Sequence, residues 1–146
     1  MSPGNDLVLI VEDDPDDREL LARAFRKAKV ALPLRFAVDG DEAVAFLGET
    51  IAAPAQPRPV VILLDLKLPR RSGFEVLDWI KQHPILRRIP VIILTSSRES
   101  VDLERAYDLG ANSYLVKPAR PDELLRMIEQ IHSYWLDLNE IVPAAP

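Results

Sequence analysis

The sequence has no cysteine, no long apolar run and no excess of basic residues. Without cysteine, a disulfide framework, a thiolate nucleophile and a cysteine-ligated zinc site are all excluded. The formal net charge is -5 at pH 7, so the chain offers no broad basic field to a phosphate backbone. The lack of cysteine is compatible with a reducing compartment, and the net charge argues against a nucleic-acid-binding surface.

The amino-terminal segment is short and carries no basic residue. It runs from Met1 to Asp6, and the apolar run after it, Leu7–Val11, is too short for a signal-peptide core or a membrane span. We therefore expect a cytoplasmic protein that does not enter a membrane. A length of 146 residues predicts one domain with one sizeable core.

Short apolar runs alternate with helical patterns along the chain. Near-continuous apolar runs are typical of strands buried on both faces of a parallel sheet. Four such runs are Leu7–Val11, Val60–Leu64, Val91–Leu94 and, more weakly, Ser113–Val116. A fifth strand, half-buried and near an edge, is predicted where apolar and polar residues alternate, with Leu34, Phe36 and Val38 as its apolar positions. Five strands are expected in total.

Helix signals lie between these runs. Asp14 followed by Pro15 predicts the start of the first helix, with Asp14 as its N-cap. The other helices are predicted at Asp41–Leu47, at Phe74–Gln82, at Ser97–Leu109 and from Pro121 onward. Strict alternation of strands and helices predicts βαβ units and an α/β fold with a doubly wound parallel sheet.

One internal segment does not fit this alternation. Residues Gly48–Pro59 contain Pro54, Pro57 and Pro59, which predict an irregular loop within the domain.

The last helix continues its apolar positions past the expected end of the fold. Trp135 and Leu138 keep the helical spacing, and Ile141 and Val142 follow. An apolar patch beyond the fold indicates association. We therefore expect a domain over residues 6–133 and a dimerisation segment over 134–146 in a homodimer. The alternative is that Trp135 folds back onto its own domain.

Carboxylates follow two of the predicted strands, at the edge where open α/β sheets place their functional crevice. Glu12 and Asp13 follow the first strand, and Asp65 follows the third. Three carboxylates in one crevice repel by about 1 to 4 kcal/mol per pair at about 4 Å. Proton uptake or a divalent cation such as Mg²⁺ relieves this repulsion, and a carboxylate beside Mg²⁺ can attack phosphorus. Capping and the helix dipole account for the acidic residues that come next, Asp14, Asp16 and Asp17.

Hydroxyl and ammonium groups follow the last two strands. Thr95 and Ser96 are interpreted either as helix caps or as partners of a phosphoryl oxygen, and a cap at Ser97 leaves the Thr95 hydroxyl free for the second role. Lys117 is either a solvated lysine or a cation that pairs with a carboxylate or a phosphoryl group. Pro118 fixes the turn after it, and the bond between them is open to either isomer.

Together these residues resemble the receiver domain of two-component response regulators over about Leu7 to Ser133. The matching motifs are Val11-Glu12-Asp13-Asp14, Leu63-Leu64-Asp65-Leu66-Lys67-Leu68-Pro69 with Gly73, Leu94-Thr95-Ser96, Gly110-Ala111, Tyr114 and Lys117-Pro118. The resemblance implies a flavodoxin-like sheet with strand order 2-1-3-4-5. The proline-rich loop and the ending Tyr134-Trp135-Leu136 with Ile141-Val142-Pro143 are similar to the stand-alone regulators that partner bacterial phytochromes.

The resemblance also implies how the site works. Asp65 would take a phosphoryl group from a phosphohistidine of a sensor histidine kinase. The similarity to phytochrome-partnering regulators implies a bacterial phytochrome as a candidate for this kinase. Mg²⁺ would be held directly by Asp13, through water by Glu12, and also by Asp65 and the backbone carbonyl of Lys67.

The same resemblance implies a switch. Lys117 and Thr95 would contact phosphoryl oxygens. Ser96 is assigned with them and Tyr114 to the catalytic and switch residues. Thr95 would be drawn toward the phosphoryl group, and Tyr114 would rotate inward and change the surface of helix four, strand five and helix five.

Other functions fit part of the pattern. A phosphohydrolase with an aspartyl nucleophile needs an acidic residue two positions later, where this chain has Lys67. A flavodoxin-like cofactor binder needs a phosphate-cradling loop after strand one, where Glu12-Asp13-Asp14 would repel phosphate. A pseudo-receiver, which is an interaction module that is never phosphorylated, stays open as the alternative. We expect a regulatory phosphoacceptor and not an enzyme with its own substrate.

Overall fold

The chain forms five parallel strands and five α-helices in a computed structural model that describes residues 6–53 and 55–142. The strands are β1 (Asp6–Val11), β2 (Leu34–Ala37), β3 (Arg58–Leu64), β4 (Val91–Thr95) and β5 (Ser113–Val116). The helices are α1 (Pro15–Lys27), α2 (Gly40–Ala52), α3 (Gly73–Gln82), α4 (Ser100–Asp108) and α5 (Pro121–Ile131). A 3₁₀ helix spans Leu86–Arg88, and a π-helix spans His132–Leu138. In this described part of the chain, every helix is too short or too polar to cross a membrane.

The sheet has the order β2-β1-β3-β4-β5 with all neighbours parallel, which confirms the predicted doubly wound fold. Successive residues of β1 face opposite sides. Leu9 and Val11 belong to the core beneath α2, α3 and α4, whereas Val8 and Ile10 belong to the core beneath α1 and α5. The central strands are thus buried on both faces, which explains their near-continuous apolar sequence.

Local capping fixes the two loops that leave β1 and β3. The Asp14 carboxylate accepts hydrogen bonds from the backbone N–H groups of Asp16 and Asp17, at 2.8 and 3.4 Å, and Pro15 is the first helical residue, as predicted. Ser72 and Glu75 form a capping box at the start of α3.

Two glycines hold the loop after β3 close to its neighbours. A Cβ at Gly73 would lie 2.1 Å from the backbone oxygen of Asp65, and a Cβ at Gly40 would lie 2.0 Å from that of Arg71. Neither position accepts a side chain without moving backbone atoms. The Gly73 N–H also donates to the Leu66 carbonyl at 2.9 Å, which closes the loop between Leu66 and Gly73. At the other side, the Asp65 N–H donates to the Val11 carbonyl, so the backbone is held both at Asp65 and directly after it.

Helix α2 is longer than predicted, and the loop expected over Gly48–Pro59 is correspondingly shorter. The helix runs to Ala52 because Thr50 and Ile51 continue its buried face, and the Thr50 hydroxyl donates to the Leu47 carbonyl at 2.7 Å. β3 already begins at Arg58, so Pro59 is a strand residue. Pro54 lies outside the described residues.

Helix α4 begins later than predicted, so the assignment of Ser97 as its cap was wrong. The helix starts at Ser100, and its N-cap Glu99 makes no side-chain capping bond. Ser97 lies in the preceding loop, where its hydroxyl accepts from the Glu99 N–H at 3.3 Å and donates to Asp102 at 2.6 Å.

The end of α5 also differs from the prediction. The α-helix stops at Ile131 and continues as the π-helix, whose wider turn does not keep the α-helical spacing of the apolar residues. Trp135, Leu136 and Ile141 pack against the core beneath α1 and α5. The segment 143–146 lies outside the described residues.

Candidate functional site

Three carboxylates meet at the carboxyl ends of β1 and β3. One oxygen each from Glu12, Asp13 and Asp65 lies within 4.8 Å of the other two. Glu12 and Asp65 are buried, at 2% and 7% exposed, whereas Asp13 is exposed. The sheet brings them together because the Asp65 N–H continues the β1–β3 ladder, donating to the Val11 carbonyl at 3.1 Å.

The ammonium group of Lys117 lies in the middle of this acidic site. Its Nζ lies 2.8 Å from Asp65 Oδ2 and 2.9 Å from Asp17 Oδ2, and it pairs with Glu12 as well. The Lys117 N–H donates to the Thr95 carbonyl at 2.8 Å, which places the side chain at the end of β5. The peptide bond between Lys117 and Pro118 is trans.

Burial and charge act differently on the two partners of the Lys117–Glu12 pair. Burial raises the pKa of Glu12 to about 7, although hydrogen bonds from Lys117 and the Asp14 N–H act to lower it. Burial acts to lower the pKa of Lys117, but hydrogen bonds to Asp65, Glu12 and Asp17 outweigh it and raise that pKa. Lys117 is therefore charged at neutral pH, and one cation does not satisfy all of the carboxylates around it.

The residues present fit a hard divalent cation. The donors are carboxylate oxygens only, which suit Mg²⁺ and Mn²⁺ better than soft metals. Lys117 is the one cation paired with these carboxylates among the described residues, so its single charge leaves part of the negative charge at the site uncompensated. The peptide of Lys67 lies beside the site, since its N–H donates to Asp65 Oδ1 at 3.3 Å, and the Lys67 side chain is exposed.

A hydrogen-bonded chain leads from the site toward α4 and β5. Thr95 is fully buried, and its hydroxyl accepts from the Ser97 N–H at 3.4 Å. The Tyr114 hydroxyl donates to the Ser97 carbonyl at 3.1 Å, and Asp102 in the first turn of α4 accepts from the Ser97 hydroxyl. Ser96, in contrast, is exposed. The network joins the ends of β4 and β5 to the start of α4.

Two residues of α1 reach the site although the sequence analysis did not assign them to it. Asp17, interpreted as a helix-start residue only, pairs with Lys117 across 100 positions of sequence. Arg18 Nη1 donates to the backbone carbonyls of Glu12 and Asp13 at 2.9 and 2.8 Å. Their position in the sequence could have predicted this, because the first turn of a helix that starts at the sheet edge lies beside the strand ends and so beside the site.

The apolar residues at the carboxyl end divide into two groups. Trp135 and Ile141 pack against the domain's own core, as in the alternative considered for Trp135. Leu138 and Val142 are 68% and 56% exposed.

Comparison with known proteins identifies the family of this chain independently of the site geometry. The family model described as "Response regulator receiver domain" matches residues 8–129. Response regulator Rcp1 of a Synechocystis species is 40% identical over 139 residues, which cover 95% of this chain and 94% of Rcp1.

Solved structures give the same result. The Mn²⁺-bound form of Rcp1 superposes with a TM-score of 0.84 at 38% identity, covering 94% of this chain and 99% of that one. The phosphorylated cyanobacterial phytochrome response regulator RcpA superposes with a TM-score of 0.85 at 34% identity, covering 95% and 99%. Sequence motifs, strand order and these matches agree, and the chain therefore belongs to the response regulator receiver family.

Proposed function

We propose that a sensor histidine kinase phosphorylates this response regulator on Asp65 in a reaction that requires Mg²⁺. The proposal rests above all on the position of Asp65, which is 2.8 Å from the Lys117 ammonium and within 4.8 Å of the Glu12 and Asp13 carboxylates. A nucleophile, a fixed cation and a set of metal ligands are the parts that phosphoryl transfer needs in one place.

Asp65 acts as the nucleophile. A carboxylate oxygen of Asp65 forms a bond to the phosphorus of the phosphohistidine, while the bond from phosphorus to the imidazole nitrogen breaks and leaves its electron pair on that nitrogen, which can then take a proton from water. Lys117 pairs with the negative charge of the phosphoryl oxygens, which replaces part of its present pairing with Asp65 and Asp17. Thr95 offers its hydroxyl to another phosphoryl oxygen.

Glu12, Asp13, Asp65 and the backbone carbonyl of Lys67 would hold the Mg²⁺. When bound, Mg²⁺ supplies positive charge that neutralises the carboxylates and the incoming phosphoryl oxygens. The relative Rcp1 has a solved structure in its Mn²⁺-bound form, and this supports the proposal of a divalent-cation site in the present chain.

Phosphorylation is read out through the chain of contacts from Thr95 to Tyr114. Movement of Thr95 toward a phosphoryl group changes its bond with the Ser97 N–H, and the Ser97 carbonyl is the acceptor of the Tyr114 hydroxyl. We infer that this shift alters the surface of α4, β5 and α5. Such a switch needs two packings that differ by only about a few kcal/mol.

The kinase is proposed to be a bacterial phytochrome, because RcpA is a cyanobacterial phytochrome response regulator. We also propose a cytoplasmic location for this chain, because a histidine kinase takes its phosphoryl group from ATP in the cytoplasm.

Phosphoryl uptake tests the proposed function. Incubating the chain with a small acyl phosphate and Mg²⁺ is expected to add the mass of one phosphoryl group, and chelation of Mg²⁺ is expected to prevent it. The added group should be stable in acid and lost in base, as an acyl phosphate is. A chain that stays unmodified with both the acyl phosphate and a phosphorylated histidine kinase would instead be an interaction module that is never phosphorylated.

The carboxyl-terminal segment is proposed to form a homodimer. Leu138, Val142 and the half-exposed Tyr134 leave an apolar surface on this segment, although Trp135 and Ile141 already pack on the domain itself. Replacing both Leu138 and Val142 by serine is expected to shift the chain from dimer to monomer in sedimentation. Ile85→Ser is a matched control, since Ile85 is also exposed and lies between α3 and the 3₁₀ helix. A wild-type monomer, or a double variant that stays dimeric, would rule out this interface.

A further inference from the structure

Arg18 reaches back from the first turns of α1 to the loop that carries Glu12 and Asp13. A single guanidinium nitrogen, Nη1, donates to the Glu12 carbonyl at 2.9 Å and to the Asp13 carbonyl at 2.8 Å. These two carbonyls belong to the two peptide planes that flank the Asp13 Cα. Because each peptide is planar, fixing both carbonyls fixes the backbone dihedrals of Asp13 and the direction of its Cα–Cβ bond.

The two acidic residues of this loop depend on that anchor to different degrees. The Glu12 carboxylate is buried, pairs with Lys117 and accepts from the Asp14 N–H at 3.1 Å. Asp13 is exposed, so the backbone has the larger part in directing its carboxylate toward Glu12 and Asp65. An anchor on the peptides around Asp13 therefore acts on the metal-ligating carboxylate that packing constrains least.

Charge alone does not explain the position of Arg18. Arginine stays protonated, and a cation near a divalent metal opposes metal binding through space. Its nitrogen contacts carbonyl oxygens here and not the carboxylates. Positioning and charge thus have opposite effects on metal affinity, which makes the two separable by experiment.

We propose that Arg18 is a positioning residue that presets the Asp13 carboxylate for the divalent cation and thereby raises metal affinity. The proposal rests on the proposed function, since it takes Glu12, Asp13 and Asp65 as the metal ligands. Groups that orient metal ligands from outside the coordination shell typically change metal affinity by about 10- to 100-fold when they are removed.

Direct measurement of Mn²⁺ binding to the unphosphorylated chain tests this role. Free Mn²⁺ is followed by its electron paramagnetic resonance signal, so the readout does not depend on phosphoryl transfer. Arg18→Met, which keeps an unbranched apolar stem, is expected to bind Mn²⁺ about tenfold more weakly. Arg18→Lys keeps a donor for the carbonyls and should recover part of the affinity. Arg23→Met is the matched control, because Arg23 is on the same helix and pairs only with Glu19 among the described residues, at 3.2 Å.

Kinetics give the second readout. For Arg18→Met, the metal concentration that gives half-maximal phosphorylation should rise about tenfold, while the rate at saturating metal stays at the wild-type value. Unchanged or tighter Mn²⁺ binding in a folded Arg18→Met chain would overturn the proposal, and so would an equal loss in Arg23→Met. If Arg18→Met does not fold, Arg18→Lys decides the question: Mn²⁺ binding weaker than that of the wild type supports the proposal, and binding equal to that of the wild type overturns it. A wild-type chain that binds no Mn²⁺ would overturn the metal site itself and this proposal with it, whereas wild-type binding that Arg18→Met leaves unchanged would overturn this proposal alone.

Discussion

Asp65→Asn is expected to abolish phosphoryl uptake while the chain stays folded. The amide has nearly the same shape as the carboxylate, but it is not a nucleophile toward phosphorus. Its oxygen can still accept from Lys117, which lies 2.8 Å from the carboxylate in the wild type. One of three repelling carboxylates is removed, so the free energy of unfolding without metal should be unchanged or higher by about 1 kcal/mol.

Intact-mass spectrometry after incubation with an acyl phosphate and Mg²⁺ measures this effect, and denaturant unfolding measures the stability. Asp78→Asn is the matched control, because Asp78 is an exposed residue of α3 and its side chain is hydrogen-bonded only to Gln82 among the described residues. The control should gain the phosphoryl mass at the wild-type rate. A mass gain in Asp65→Asn equal to that of the wild type would place the acceptor elsewhere.

Lys117→Met is expected to slow phosphorylation by about 10²- to 10³-fold even at saturating Mg²⁺, which is the usual effect of removing one preorganised electrostatic partner of a transition state. The ammonium contacts Asp65, Glu12 and Asp17, and no other cation contacts these carboxylates in the described chain. Two of them are buried, so their charge loses its compensation when the lysine is removed. The free energy of unfolding in a chelator should fall by about 3 kcal/mol.

The rate of mass gain and the unfolding curve separate these two effects of Lys117→Met. Lys27→Met is the control, since Lys27 is an exposed lysine in the last turn of α1. A wild-type rate in folded Lys117→Met would show that the ammonium has no part in the transfer.

Features set by local sequence were predictable. Asp14 and Pro15 start α1 because capping and a fixed φ act within a few residues. Alternating apolar runs and helix signals predicted the doubly wound parallel sheet, whereas its strand order came from the family resemblance. The meeting of Glu12, Asp13 and Asp65 follows from the strand ends, since parallel strands end at the same edge.

Features set by distant contacts were not predictable in the same way. Its place in the first turn of α1 seemed to account fully for Asp17. Its contact with Lys117 depends on how α1 is rotated against β5, which local sequence does not determine. Ser97 looked like a cap by local rules, but its carbonyl and hydroxyl are used by Tyr114 and Asp102 in the tertiary structure. Near the end of α5, the spacing of apolar residues over a single turn does not separate an α-helix from a π-helix. In the structure, Trp135 and Leu136 of the π-helix pack against the core beneath α1 and α5.

The most direct test of the whole account is to locate the phosphoryl group. Borohydride reduces an aspartyl phosphate to homoserine, so peptide sequencing by mass spectrometry after reduction identifies the modified residue. The account predicts homoserine at position 65, only when Mg²⁺ was present during phosphorylation. Homoserine at Asp13 or Asp17 instead, or phosphate on a side chain outside the site, would contradict it.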